Sequence, residues 1–452
     1  MELTSTTQNA QSRRWLAGLI TLLTVASLLV WAGRRETAAE KEIQRVLAEL
    51  RASGEPVSAA DLALLFPNPA ANENAGEILT NILAFALDHR PPAASPIVNP
   101  SAVFGRTVPF PEPSTVELRA YHEGTKAIWD QWPQPWPTGM RFASHWERGM
   151  MSNSMANFIQ VRMLAQILAT LAISAAEDND PQRAADMLER GFLFPRTIPS
   201  DSLVSHMIQR ACASLGVTAA ERCLNRTRFT ESQLRQMANA LPPMDTNHFA
   251  NALRGEHCLA IWAFQEVKAG RSLDDFYGSP KLPWWKAVVR KLLPRRGQYS
   301  DADFLTYLSL YHPSLEIMAL PPLQAIAQSS NIMQQYQTNV TTGLAQGVPA
   351  HWTKALRAHF ECEARLTALR AALAVERFRL AHGGKPPNSL AELVPVYLPD
   401  VPRDLFDNQP LRFQTLTAGY VLYSIGADGV DDGGLEKTSA TTNCDVTFTV
   451  ER

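Results

Sequence analysis

Four aspartates near the end of the chain are the residues best spaced to do chemistry together. Asp428, Asp431 and Asp432 lie within five positions of the glycine-rich run 426–434, and Asp445 returns after a polar stretch. Calcium takes six to eight oxygen ligands and favours flexible loops that gather carboxylates and backbone carbonyls. Glycines allow the positive-φ backbone that turns carbonyls inward. One reading of the loop is therefore a structural calcium site. Its spacing departs from the EF-hand loop, which needs glycine at the sixth position and glutamate at the twelfth. The other reading is a solvated hairpin loop, because Asp-Gly is a frequent turn dipeptide.

The remaining reactive side chains form weaker constellations. His248 and His257 are nine positions apart with Glu256 beside the second, so on one helix they face different sides and suit a shared metal poorly. His257 and Cys258 are adjacent, and adjacent helical residues point about 100° apart, which is wrong for a nucleophile and its base. His206, Arg210 and Arg254 are candidates for a polar cleft. There is no phosphate loop, no His-Glu-x-x-His and no Gly-x-Ser-x-Gly. No catalytic residue is assigned, and an enzyme is the less favoured class. The five cysteines, Cys212, Cys223, Cys258, Cys362 and Cys444, have no Cys-x-x-Cys spacing and read as small apolar residues.

These groups must be positioned by helices. Of the 452 residues, 46% are apolar and the net charge is -2, which suits folded domains and gives no electrostatic argument for nucleic-acid binding. Residues 15–33 are charge-free, with Arg13-Arg14 before and Arg34-Arg35 after. Nineteen such residues, from Trp15 to Gly33, approach the roughly 20 needed to span a bilayer core, and the two terminal tryptophans suit its interfaces. This predicts a single-pass membrane anchor, the short tail inside and the bulk on the exported side. A cleaved signal peptide is the rival, although Val30-Trp31-Ala32 is a poor cleavage site.

Helical periodicity continues over 38–51, 76–89, 155–177, 181–194, 201–225, 231–240, 245–268 and 301–327, the last broken at Pro313 and at Pro321-Pro322. Ser58 with Asp61, Asp180 before Pro181, and Thr230 with Gln233 are the N-terminal signals. Residues 90–139 read as a long proline-broken loop whose Trp129, Trp132 and Trp136 cover a neighbouring helix. The basic tryptophan segment 281–296 suits a solvated helix or a bilayer interface. Short connections imply an α-helical bundle of antiparallel neighbours.

From Leu366 the chain reads helix, Gly-Gly-Lys-Pro-Pro turn, a short helix opened by Ser389, strands at 411–415 and 420–425, and the acidic loop. The pieces Ala374-Val-Glu-Arg-Phe-Arg-Leu-Ala-His-Gly-Gly-Lys-Pro-Pro, Leu398-Pro-Asp-Val-Pro-Arg-Asp, Tyr420-Val-Leu-Tyr-Ser-Ile-Gly-Ala-Asp-Gly and Asn443-Cys-Asp-Val-Thr-Phe resemble, in order, the C-terminal part of the major pseudopilins of type II secretion systems. The resemblance implies a structural calcium ion held by the Ser424 side chain or nearby carbonyls, Asp428, Asp431 or Asp432, and Asp445. Residues 15–33 contain no acidic residue and no Gly-Phe processing site, which departs from a pilin leader. The whole chain resembles a group of bacterial membrane-anchored proteins that carry this tail, to which no activity is attached. The expected fold is mainly α: residues 1–35 as tail and transmembrane helix, 36–350 as an α-helical bundle, and 351–452 as a small α+β pseudopilin-like module. The expected function is that of a non-enzymatic envelope protein of interaction or scaffold type, with protein partners in the envelope. The alternatives are a secretion-system accessory and an envelope hydrolase.

Overall fold

Side-chain caps start many of the helices, and each leaves the mark that periodicity alone cannot supply. The computed structural model describes residues 38–98, 106–137, 139–150, 155–243, 247–271, 299–347, 351–436 and 444–452. The expected anchor at 15–33 and the basic segment 281–296 lie outside these. The chain forms two compact units, one ending at Ser53 and one running from Gly54 to Arg452. In the first, α1 (Ala38–Ala52) pairs Arg45 with Glu42 and Glu49 along one face and sets Ile43, Leu47 and Leu50 along another.

The second unit opens with α2 (Ala59–Leu65), whose N-cap Ser58 accepts the Asp61 N–H. The helix expected at 76–89 is two, α3 (Ala75–Ile78) and α4 (Thr80–Asp88), separated at Leu79. The proline-broken stretch needs correction: it contains the 18-residue helix α5 (Glu112–Trp129). Pro111 is its N-cap and Pro113 lies in its first turn, where a missing N–H breaks no intrahelical bond, so these prolines mark a start. Trp129 and Trp132 are 6% and 4% exposed and belong to the main core, with Trp132 stacked on Trp136. They cover helices, as expected.

Next come α6 (Met155–Glu177) and α7 (Pro181–Leu193), joined by Asn179 at positive φ and by N-cap Asp180. Residues Phe158–Glu177 are long and apolar enough to cross a membrane, and most of that stretch is buried inside the bundle. Then follow α8 (Leu203–Arg226), capped by Ser202, α9 (Glu231–Ala240), opened by the Thr230–Gln233 capping box, and α10 (Asn247–Lys268). The stretch from 301 forms α11 (Asp301–Leu308), α12 (Tyr311–Glu316) and α13 (Pro322–Asn339). Short α14 (Gly343–Gly347) precedes the 30-residue α15 (Trp352–Ala381). Strands β1 (Arg412–Thr415), β2 (Tyr420–Ser424) and β3 (Val446–Val450) form an antiparallel sheet in that order.

The sheet shares one core with the helices. Tyr420 pairs with Val450 and Leu422 with Phe448 across β2 and β3, and these four join Leu366, Leu369 and Leu373 of α15 in a single buried cluster. Period-2 alternation puts them on one face. The turn into β2 requires glycine: Gly419 has φ +92°, and a Cβ there would sit 1.8 Å from the Val450 carbonyl oxygen. The loop after β2 folds back so that Gly434 lies over Tyr423 and Val421.

α10 packs directly on the 201–202 backbone at Gly255. A Cβ on Gly255 would lie 1.8 Å from the Asp201 carbonyl oxygen, whereas one on Gly124 of α5 meets nothing within 4 Å. Gly255→Ala should therefore destabilise the chain by about 2 kcal/mol through overpacking. Gly124→Ala should stabilise it by about 0.5 kcal/mol through helix propensity. Urea unfolding of the two variants checks the opposite signs.

Candidate functional site

The acidic loop is held in place from beneath by a residue outside it. Asp404, 1% exposed, accepts the Ser424 hydroxyl at 2.7 Å, the Ile425 N–H at 2.9 Å, the Phe406 N–H at 3.0 Å and Arg412 Nη1 at 2.8 Å. Arg412 also pairs with Asp407 and with Asp431, at 2.6 and 3.1 Å. The Asp407 partner raises the Arg412 pKa above its ordinary value, against partial burial.

The five residues expected to hold calcium are thus divided. Ser424 points to Asp404, and Asp431 to Arg412. Asp445 accepts the Gly434 N–H at 2.6 Å and the Asp432 N–H at 3.3 Å, pinning the loop across its own end. Asp428 accepts the Val430 N–H. Among the described residues no three His, Cys, Asp or Glu side chains form a group suited to a metal ion. Asp428 and Asp445 line one cleft together. Ser424 and Asp431 are engaged in the network beneath the loop, Ser424 donating to Asp404 and Asp431 accepting from Arg412 and from the Gly433 N–H, while Asp432 stands beside Asp445.

The seat of the sheet is equally specific. On α8, Asn225 donates to the Thr449 carbonyl at 2.8 Å and accepts the Glu451 N–H at 2.7 Å, while Glu221 accepts the Thr449 N–H at 2.8 Å. Helix side chains therefore satisfy the outer edge of β3, which would otherwise invite another strand. On α15, buried Glu376 accepts Tyr420 Oη at 3.1 Å, Arg379 at 2.8 Å and Arg452 at 2.6 Å. Burial, then the neighbouring Glu376 charge, raises the Tyr420 phenol far above its usual range.

Between this seat and the loop opens a cleft of about 340 Å³. One wall is α15, with Arg357, Glu361 and Arg365 at helical spacing; the other carries Asp428, Glu436, Cys444 and Asp445; Arg106 and Glu221 lie in its lining. Burial raises the Glu221 and Asp445 carboxyls, against Arg106 for the first and the two loop N–H groups for the second. Glu436 moves the other way: burial is outweighed by its bonds to Arg106 and Thr449. Arg106 spans Glu436 at 2.6 Å, Glu451 at 3.6 Å and Glu221 at 3.8 Å.

The polar residues singled out along the helices assemble differently from their spacing. His206 and Arg210 of α8 do come together, but with His359 and Glu363 of α15. His206 Nε2 lies 3.2 Å from His359 Nδ1, and Arg210 is in direct contact with Glu363. Arg254 instead pairs with Glu55 at 2.8 Å. His257 is enclosed by Tyr307 Oη at 2.9 Å, Ser314 Oγ at 2.7 Å and the stacked Tyr311 ring, and burial pushes its pKa down to about 3. Cys258 lies in a separate apolar cluster with Leu62, Trp146 and Met150. Burial pushes the Glu256 carboxyl up to about 7. His359 and Glu363 were missed by sequence reasoning. The available signal was two i,i+4 polar pairs, His206/Arg210 and His359/Glu363, each interrupting an otherwise small or apolar helix face.

No protein-family model, curated protein or solved structure matches this chain.

Asp404 is the residue on which the loop depends. Asp404→Asn places an NH2 group among its donors and leaves Arg412 without that buried carboxylate. The variant should lose about 3 kcal/mol of stability in urea unfolding, and amides of 424–436 should exchange faster than those of α6.

Proposed function

We propose that this protein is a non-enzymatic, membrane-anchored envelope protein of interaction or scaffold type, held by residues 15–33 with its bulk on the exported side. The observation that carries the interaction reading is the charged cleft. Among the described residues Arg357 on one wall makes no ion pair, and Asp428 on the other makes only its hydrogen bond to the Val430 N–H. Charges of opposite sign on facing walls and left to solvent suit recognition of a partner carrying both charges. The pseudopilin-like tail supports the exported location. In this reading the calcium ion implied by that resemblance is held by Asp445, by Asp431 or Asp432 and by loop carbonyls, which leaves Asp428 to the partner.

Pull-down of the full chain from detergent extracts of membranes tests the interaction reading. A specific envelope partner should be recovered by the wild type and reduced at least tenfold by the paired Arg357→Glu and Asp428→Lys substitutions. Recovery unchanged by charge reversal, or no specific partner, overturns it. For the calcium component, millimolar calcium should raise the melting temperature relative to chelator. Asp445→Asn should abolish that increment, and an unchanged melting temperature removes the ion from the proposal.

A further inference from the structure

We infer that the His206–His359 pair makes the joint between α8 and α15 an acid-sensitive lock, which seats the C-terminal sheet at neutral pH and loosens when either ring gains a second proton. The two imidazoles are 0% and 2% exposed and face each other nitrogen to nitrogen at 3.2 Å, so a single N–H is shared between them. Two protonated rings would set donor against donor. One protonated ring would place a full charge where water cannot solvate it.

The surroundings offer little to balance that charge. From α8, Arg210 lies one turn beyond His206, and from α15, Glu363 lies one turn beyond His359; these two are already paired with each other. From α10, His248 adds a further basic group near both rings, and Phe249 packs against them edge-on and tilted. From the connection before α8, the Ser200 hydroxyl meets His206 Nδ1 at 3.1 Å. Burial, with the His359 and Arg210 charges, holds His206 well below the usual imidazole range, and burial with Arg210 pushes His359 down to about 3.

The sign follows from proton linkage. An unfolded or opened histidine titrates near its ordinary value of about 6.5 and binds the proton first as the pH falls. The lock is therefore fully closed above that value and weakens progressively from there toward about pH 3. At pH 5 each depressed histidine shifts the opening equilibrium about 30-fold. The consequence reaches the tail because the same two helices hold it: Glu221 and Asn225 of α8 bind the β3 edge, and Glu376 of α15 binds Tyr420 and Arg452.

Hydrogen exchange on the full chain at pH 7.5 and 5.0, corrected for intrinsic rates, tests the lock. Amides of 203–212, 352–363 and 446–450 should lose at least about 30-fold of protection at pH 5, while those of α6 keep theirs. His359→Gln and His206→Asn should each remove most of the acid-dependent part, and His89→Gln, exposed at the end of α4, should leave it intact. Equal protection at both pH values overturns the inference. So does the same acid loss in the His206 and His359 variants as in the wild type. If those variants do not fold, the wild-type exchange profile decides alone.

Discussion

The Arg210–Glu363 pair is the constraint around which the second unit is arranged. Both side chains are almost fully buried, and removing two charges from water costs several kcal/mol each unless they meet. They meet only when α8 and α15 run parallel in one register, since His206 with His359 and Arg210 with Glu363 share the same sequence offset of 153 residues. A slip by one turn would bury a lone charge against an imidazole. Apolar packing between helices tolerates such slips far better, so the polar pair supplies a register that leucines and alanines do not.

That register decides where the sheet sits. With α8 and α15 fixed side by side, Glu221 and Asn225 near the end of one and Glu376 near the end of the other converge on the same short strand. The edge of β3 is closed by side chains, and its inner face completes the helical core through Tyr420, Leu422, Phe448 and Val450. The three strands need not be stable by themselves, and a sheet this small seldom is. Its loop, tied down by Asp404 and Asp445, then stands opposite the arginines of α15. The cleft is a by-product of that docking and belongs to neither element alone.

Polar burial elsewhere follows the same logic. His257 sits among Tyr307, Ser314 and Tyr311, and Glu177 gathers Arg222 and Arg226 beneath the 107–110 backbone. Each cluster joins elements distant in sequence and satisfies its own donors and acceptors. Such networks hold a unique arrangement among many that hydrophobic packing alone would permit.

Residue order by itself determined the local structure. The Thr230–Gln233 box, Asp180 before Pro181 and Ser58 with Asp61 mark helix starts because a cap needs only residues three apart. The helical class, the first two strands and the packing of Trp129 and Trp132 over helices follow from periodicity and composition. Prolines misled at 111–113, because the same residue that breaks a helix interior also opens a helix. The bond from Ser424 to Asp404 and the pairing of Asp431 with Arg412 were not legible, because nothing local reveals those partners. Tertiary structure alone decided the pairing of His206 with His359, the seat of β3 and the two walls of the cleft. Those contacts span 153 residues and more, and their energy depends on burial and register, which no short window of sequence contains.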